Sequence, residues 1–292
     1  VACEKPITVI KAGEKRGKKL YIKDVVVPCG KCPLCKKRRI DEWVFRLQQE
    51  DKKSSCSLFV TLTYDTQHVP ISAHGFMTLS KGNGRKTETK DRKDSDTQAF
   101  FKRLRKDKKD EQIKYYMCGE YGTENDRPHY HLIIFSDTIT IDDIEKHWNL
   151  GSVHVGEVSG DSIAYCLKYL DKEKRIPRFK RDDRVPEYSI SSKNMGLDYV
   201  TPDIIKWHTE DLERNYIVKE DGIKIALPRI YKEKIYTEQQ KDQQRELAQQ
   251  AAEDMQQKEM EQYGDKYYSV KQQAQIYRAN KQIKQSNKRR NT

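Results

Sequence analysis

Two stretches of this chain read as neighbouring strands, and they restrict the fold more than anything else in it. Ile113 to Glu120 and His129 to Phe135 are rich in aromatic and β-branched residues, and the linker Tyr121 to Pro128 is rich in turn formers. That pattern predicts an antiparallel hairpin. Side chains alternate along a strand, so His129 and His131 share one face while Tyr130, Leu132 and Ile134 share the other. Two neutral imidazoles side by side are half of a metal site. Glu120 ends the preceding strand, close enough in the sheet to supply a third ligand. Two histidines and a carboxylate leave positions open on a hard divalent ion, which then polarises a phosphate oxygen. The residues alone also allow a plainer reading, in which one histidine packs locally and the other is solvated.

A second segment carries chemistry. Ser162 to Lys172 reads as a helix with Asp161 as its cap. At about 100° per residue, Ile163, Leu167 and Leu170 fall on one face, and Tyr165, Lys168, Tyr169 and Lys172 fall opposite. The core face is thus taken by aliphatics, and both tyrosines look outward or onto another polar surface. A phenol with a pKa of about 10 is a poor nucleophile when neutral. A nearby lysine or a metal-bound phosphate favours the phenolate and its attack.

The remaining elements follow from periodicity. Residues 1–28 read as short strands and turns, ending in Val25-Val26-Val27. A helix is predicted from Lys36 to Lys52, with Ile40, Trp43, Val44 and Leu47 at helical spacing. Leu58 to Tyr64 is a strand, and 80–96 a solvated loop. Asp96 or Thr97 would cap a helix from Gln98 to Lys108. Thr140 to His147 is a short helix and Val153 to Val158 a strand. Residues 174–235 follow no clear period. From Thr237 the composition shifts to Gln, Glu, Lys and Ala, predicting a polar helical or disordered tail with a basic end. The expected division is therefore 1–236 and 237–292.

Composition narrows the function. Charged and hydrophobic residues each make up 35%, enough for one core but not for a core along the whole length. The formal charge of +12 favours a polyanionic partner such as nucleic acid. A basic protein without such a partner fits it too. No apolar run approaches the roughly 18 residues of a membrane span, and the first residues carry no apolar stretch like a secretory signal. The expectation is an intracellular protein that avoids membranes. In a reducing compartment, its seven cysteines suggest metal binding rather than disulfides. Cys29, Cys32 and Cys35 are tightly spaced, and with Cys3 they give four thiolates, a set that suits tetrahedral zinc. Such a site would tie the N-terminus to the start of the Lys36 helix. The run shares part of an iron–sulfur pattern without the Cys-Pro that follows there. Free thiols are the other reading. The basic clusters Lys36 to Arg39 and Lys102 to Lys106 suit phosphate contact or a solvated face. Trp43, Tyr115 and Tyr116 suit base stacking or core packing. There is no P-loop, so no built-in helicase is expected.

Taken in order, Phe59-Val60-Thr61-Leu62-Thr63, Gly119-Glu120, Arg127-Pro128-His129-Tyr130-His131 and Tyr165-x-x-Lys168-Tyr169-x-x-Lys172 resemble the motifs of the HUH endonuclease superfamily. The doubled tyrosine is similar to the branch of replication initiators of small single-stranded DNA phages. Cys3, Pro28-Cys29-Gly30-Lys31-Cys32-x-x-Cys35 and Phe101-Lys102-Arg103-Leu104-Arg105 resemble microvirus initiators, especially those of the gokushovirus group. The resemblance covers roughly residues 1–200. It implies an α+β fold with a central antiparallel sheet flanked by helices. It implies Mg²⁺ or Mn²⁺ as cofactor, His129 and His131 as ligands with Glu120 as the third, and Tyr165 and Tyr169 as nucleophiles. Lys168 and Lys172 would stabilise the phosphate or assist proton transfer. The implied reaction is nicking and rejoining of single-stranded DNA at a replication origin, through a 5′-phosphotyrosine link, in the cytoplasm of a bacterial host. A host helicase and a host DNA polymerase would do the rest. Two other readings stay open: an HUH transposase or plasmid relaxase, and a non-enzymatic zinc-stabilised nucleic-acid-binding protein.

Overall fold

The computed structural model describes residues 3, 5–16, 19–80, 95–167, 176–220 and 222–288. Its contacts group into two compact units, one of residues 43–199 and one of residues 1–42 with 200–292.

The first unit is built on a five-stranded, wholly antiparallel sheet. Its strands are β3 (Cys56–Thr63), β4 (Lys114–Tyr121), β5 (Pro128–Ser136), β6 (Val153–Glu157) and β7 (Tyr188–Ser191), in the spatial order β6-β3-β5-β4-β7. The expected hairpin is β4–β5, the centre of the sheet. With its flanking helices the architecture is α+β, as the resemblance implied.

One face of the sheet makes the core. Val60, Leu62, Met117, Tyr130, Leu132 and Ile134 pack there against Phe100, Phe101 and Leu104 of α2 (Asp96–Asp107), Ile144 of α3 (Ile141–His147), and Trp148. Burying one aliphatic side chain of this size stabilises by about 1.5–3 kcal/mol, so this face dictates which way every strand presents its residues. Both helices start on capping boxes, at Ser95 with Gln98 and at Thr140 with Asp143. The cap of α2 is thus Ser95, one residue before the two expected. The Tyr64 hydroxyl donates to Asp96 Oδ2 at 2.8 Å and lies 3.1 Å from the Tyr130 hydroxyl, which ties the start of α2 to the core.

The opposite face is covered only in part. Trp43, in α1 (Pro33–Lys53), sets its ring edge against Tyr116 at 5.0 Å. Further along lies α4 (Gly160–Leu167), with Ile163, Cys166 and Leu167 buried. Its first turn is closed by Ser159, whose Oγ accepts from Ser162 N at 3.2 Å; Asp161, the expected cap, sits inside the first turn instead. A hydroxyl two residues earlier reaches the free N–H groups better than a carboxylate already within the helix.

The second unit holds one long hairpin where short strands and turns were expected. β1 (Ile7–Arg16) pairs with β2 (Lys19–Val27), Ile7 opposite Val27. It also holds α5 (Pro202–Glu210), the small hairpin β8 (Tyr216–Val218) with β9 (Lys224–Ala226), and α6 (Arg229–Ile235). The composition shift at Thr237 is where α7 (Glu238–Tyr263) begins, capped by Thr237 itself; α8 (Tyr267–Lys288) follows. The described part of the tail is therefore helical. No helix among the described residues is long and apolar enough to cross a membrane.

A buried charge pair closes the first unit. Lys114 Nζ meets the Glu50 carboxylate at 2.7 Å, and Glu50 also accepts the Gly196 N–H at 2.7 Å. Gly196 has a φ of +66°, and a Cβ there would stand 2.4 Å from the Arg46 carbonyl oxygen. The substitution Gly196→Ala is expected to cost about 2 kcal/mol or more, through strain and overpacking together. A urea titration would show this as a lower midpoint; an unchanged midpoint would mean that the loop relaxes freely.

Candidate metal centre and tyrosine

The site stands on the face that the core does not use. Across β4 and β5, Glu120 is opposite His129 and Cys118 opposite His131. Across β5 and β3, His129 is opposite Thr63 and His131 opposite Thr61. Residues directly opposite point the same way, so the sheet assembles one polar patch from three strands.

The expected trio comes together. His129 Nε2 and His131 Nε2 each lie 2.8 Å from Glu120 Oε1, and the three ligand atoms are within 4.8 Å of one another. The other ring nitrogens are held from behind. His129 Nδ1 donates to the Arg127 carbonyl at 3.1 Å, and His131 Nδ1 lies 2.9 Å from Thr61 Oγ1. Such outer partners fix ring orientation and leave both Nε2 atoms facing one point, as a metal ligand pair requires. Phe59 stacks on the His131 ring, with planes 7° apart. Glu120 is only 3% exposed. Burial raises its pKa, but the bonds and charges of His129 and His131 outweigh this and hold it at about 2.

Tyr165 reaches the same point. Its hydroxyl donates to Glu120 Oε1 at 3.3 Å, and its ring meets the His131 ring edge-on at 4.8 Å. It avoids the buried side of α4, as the helical wheel required, and looks onto a polar surface. Its electrostatic setting differs from expectation. Burial pushes the phenol up first, and the Glu120 carboxylate pushes it up further, so in this arrangement the hydroxyl stays neutral. Lys168, Tyr169 and Lys172 lie outside the described residues.

Two groups on this face went unnoticed in the sequence. Thr61 belongs to the alternating run Phe59 to Thr63, and that alternation was the available signal. His154 lies opposite Thr61 from the other side, on β6, and is exposed. It is therefore a third imidazole on the metal face, one strand beyond Thr61. Only the pairing of β6 with β3 reveals it.

The cysteines also gather. The sulfurs of Cys3, Cys29, Cys32 and Cys35 lie within 4.8 Å of one another. Backbone N–H groups of Lys31 and Cys32 bond Cys29 Sγ and draw its thiol down to about 6. Burial pushes the Cys35 thiol up to about 12.

The remaining candidates divide. Lys37, Arg38 and Arg39 are exposed. Arg103 instead donates to the His147 carbonyl at 2.7 Å, and Arg105 to that of Ile113 at 3.2 Å. Tyr115 stacks on Phe101 at 3.8 Å, and the guanidinium of Arg46 covers Trp43 at 4.0 Å. These rings are engaged within the protein.

Comparisons with known proteins agree on one family. The family of replication-associated proteins of the ORF2 type matches residues 57–174, the stretch that carries the trio and Tyr165. The chain is 30% identical over 264 residues to the replication-associated protein ORF2 of Spiroplasma virus 4, covering 77% of this chain and 75% of that one. It is 26% identical over 225 residues to the replication-associated protein VP4 of Bdellovibrio phage phiMH2K, covering 70% and 66%. It is 23% identical over 237 residues to the replication-associated protein ORF4 of Chlamydia phage 1, covering 71% and 53%. No solved structure matches the chain.

The Thr61 bond generates a prediction. Thr61→Val keeps the shape and removes the hydroxyl behind His131. Mn²⁺ affinity, followed by calorimetry, should fall by about 10- to 100-fold. Equal affinity in the two proteins would show that Thr61 does not orient the ring.

Proposed function

This chain belongs to the family of microvirus-like phage replication-associated proteins, and on that premise we propose that it initiates rolling-circle replication by nicking and rejoining single-stranded DNA. One observation carries the reading: the Tyr165 hydroxyl, a candidate nucleophile, shares Glu120 Oε1 with both imidazoles of a candidate metal centre.

Glu120, His129 and His131 fit a hard divalent ion, Mg²⁺ or Mn²⁺, through two imidazole nitrogens and one carboxylate oxygen. When bound, that ion supplies positive charge that polarises the scissile phosphate and offsets the carboxylate's upward push on the phenol. The chain's own residues do the rest. Tyr165 attacks the phosphorus, the bond to the 3′-oxygen breaks, and the 3′-oxygen takes up a proton. The 5′ end stays on the tyrosine as a phosphotyrosine, and a host polymerase extends the free 3′-OH. Tyr169 is the proposed second nucleophile, which attacks while the first holds its end, so that the strand can be rejoined. Lys168 and Lys172 are the proposed phosphate contacts beside them. The exposed basic groups Lys37, Arg38 and Arg39 favour a nucleic-acid backbone. Unwinding falls to a host helicase.

The test uses the full chain with end-labelled single-stranded origin DNA and Mn²⁺. A denaturation-stable protein–DNA adduct should form, depend on the metal, and vanish in the double variant Tyr165→Phe with Tyr169→Phe. Glu120→Gln should slow its formation by about 100-fold or more. An adduct that survives the double substitution, or no adduct at all with origin DNA, overturns the proposal. Mass spectrometry of the linked peptide names the attacking tyrosine.

A further inference from the structure

The nicking reaction leaves the four clustered cysteines without a task. They sit where the β1–β2 hairpin meets α1. Cys3 precedes β1, Cys29 and Cys32 follow β2, and Cys35 lies in the first turn of α1. The register explains how a residue so early in the chain arrives there. Ile7 pairs with Val27, so the chain before β1 and the chain after β2 leave the hairpin at the same end.

The local geometry is that of sulfurs arranged as acceptors. Cys29 N–H points at Cys3 Sγ at 3.2 Å, and Lys31 N–H and Cys32 N–H point at Cys29 Sγ at 3.4 and 3.2 Å. Gly30, with a φ of +71°, permits the turn that aims both of the latter at one sulfur. N–H groups converging on sulfur favour the thiolate, which is the metal-binding form. The spacing is right as well. With zinc–sulfur bonds of about 2.3 Å, the edge of a tetrahedron is about 3.8 Å, and Cys3 Sγ lies 3.8 Å from Cys32 Sγ. That separation is far longer than the roughly 2.05 Å of a disulfide. A cluster of several irons and sulfides would hold its cysteines farther apart than four sulfurs all within 4.8 Å.

A second observation shows what the site is for. At the end of the hairpin next to the cysteines, the described side chains have little apolar burial to hold them. Ile7 is 48% exposed, Val9 38% and Val26 68%. A two-stranded hairpin without a buried face is marginal in water. A closed metal site supplies the missing cross-link, because its binding free energy becomes folding free energy.

We propose that Cys3, Cys29, Cys32 and Cys35 form a closed, tetrahedral Zn²⁺ site that staples the β1–β2 hairpin to the start of α1. Soft thiolates select Zn²⁺ over Mg²⁺ and Mn²⁺. Four sulfur ligands complete the shell, so this ion takes no part in strand cleavage. Four thiolates and one Zn²⁺ leave a net charge of about −2. The chain surrounds them in sequence with Lys31, Lys36, Lys37, Arg38 and Arg39, so part of that basic run answers the site's own charge.

The experiment measures metal content rather than activity. The full chain is purified under a thiol reductant, dialysed against metal-free buffer and analysed by elemental mass spectrometry. About one zinc per chain is expected. Cys29→Ser and Cys32→Ser should each lower it by about tenfold or more, while Cys56→Ser and Glu120→Gln leave it unchanged. Chain loaded with Co²⁺ should show the intense d–d and charge-transfer absorption of tetrahedral thiolate coordination. Should the serine variants fail to fold, titrating the wild-type chain with an organomercurial decides the matter, since capping the thiols must release the zinc to a chromogenic chelator. A zinc-free chain, zinc lost with Glu120 rather than with the cysteines, or no release on capping would each overturn the proposal. None of these readouts depends on DNA cleavage, so the fate of the nicking reaction leaves this test intact.

Discussion

The pairing of β4 with β5 is the constraint on which the candidate site depends. Glu120 faces His129 because Met117 faces Leu132 and Tyr115 faces Ile134 in the same register. A slip of one residue would carry both imidazoles into the core and expose Tyr130, Leu132 and Ile134. Those three are 0–1% exposed, so the slip is blocked by burial long before any ligand is bound. The turn adds a second lock. Gly122 N–H bonds the Arg127 carbonyl at 3.0 Å, and Asp126, at a φ of 48°, is held by Arg178 and Arg184. Hydrophobic packing on one face thus sets the polar chemistry on the other.

The polar cluster in turn concentrates on one atom. Glu120 Oε1 is approached by two imidazoles and a phenol. A buried carboxylate without partners would take up a proton. Here the histidines reverse that, and the phenol is left beside a negative charge that opposes its own ionisation. In the proposed reaction the same carboxylate therefore serves two ends: it helps hold the cation and restrains the nucleophile until that cation is in place. Groups that share one acceptor act as a unit, so the effects of removing them singly should not add.

Much of this was legible in the sequence, for local reasons. The hairpin announced itself through two strand-forming runs around a turn, and alternation alone placed His129 and His131 together and away from Tyr130. The helical wheel put Tyr165 off the apolar side of α4. What stayed hidden depends on contacts between residues distant in the chain. β7 is only four residues long, without strong alternation, and is a strand because β4 offers it an edge. Thr61 and His154 gain meaning only once β3 is known to lie between β5 and β6. The caps at Ser95 and Ser159 were missed because a carboxylate or hydroxyl stands near each, and sequence does not say which side chain turns back. The cysteine quartet was legible as spacing, but Cys3 joins it only through the Ile7–Val27 register.

The uncovered part of the metal face completes the picture. Trp43 and α4 occupy the side toward β4, while Thr61, Thr63, Gly156 and His154 form the side toward β6. These residues are small or polar and half-buried or exposed, whereas the core face of the same strands is filled by Val60, Leu62 and Tyr130. A sheet gains nothing in stability from leaving such a surface bare, since the same positions could carry side chains that pack. Its openness is instead what the proposed reaction requires: a polynucleotide backbone must lie within reach of Tyr165 and of both imidazoles at once. The β-branched threonines keep the strand regular while adding little height above it. The edge of the sheet then ends in His154, an imidazole placed where a strand crossing from the metal centre over Thr61 would next meet the protein.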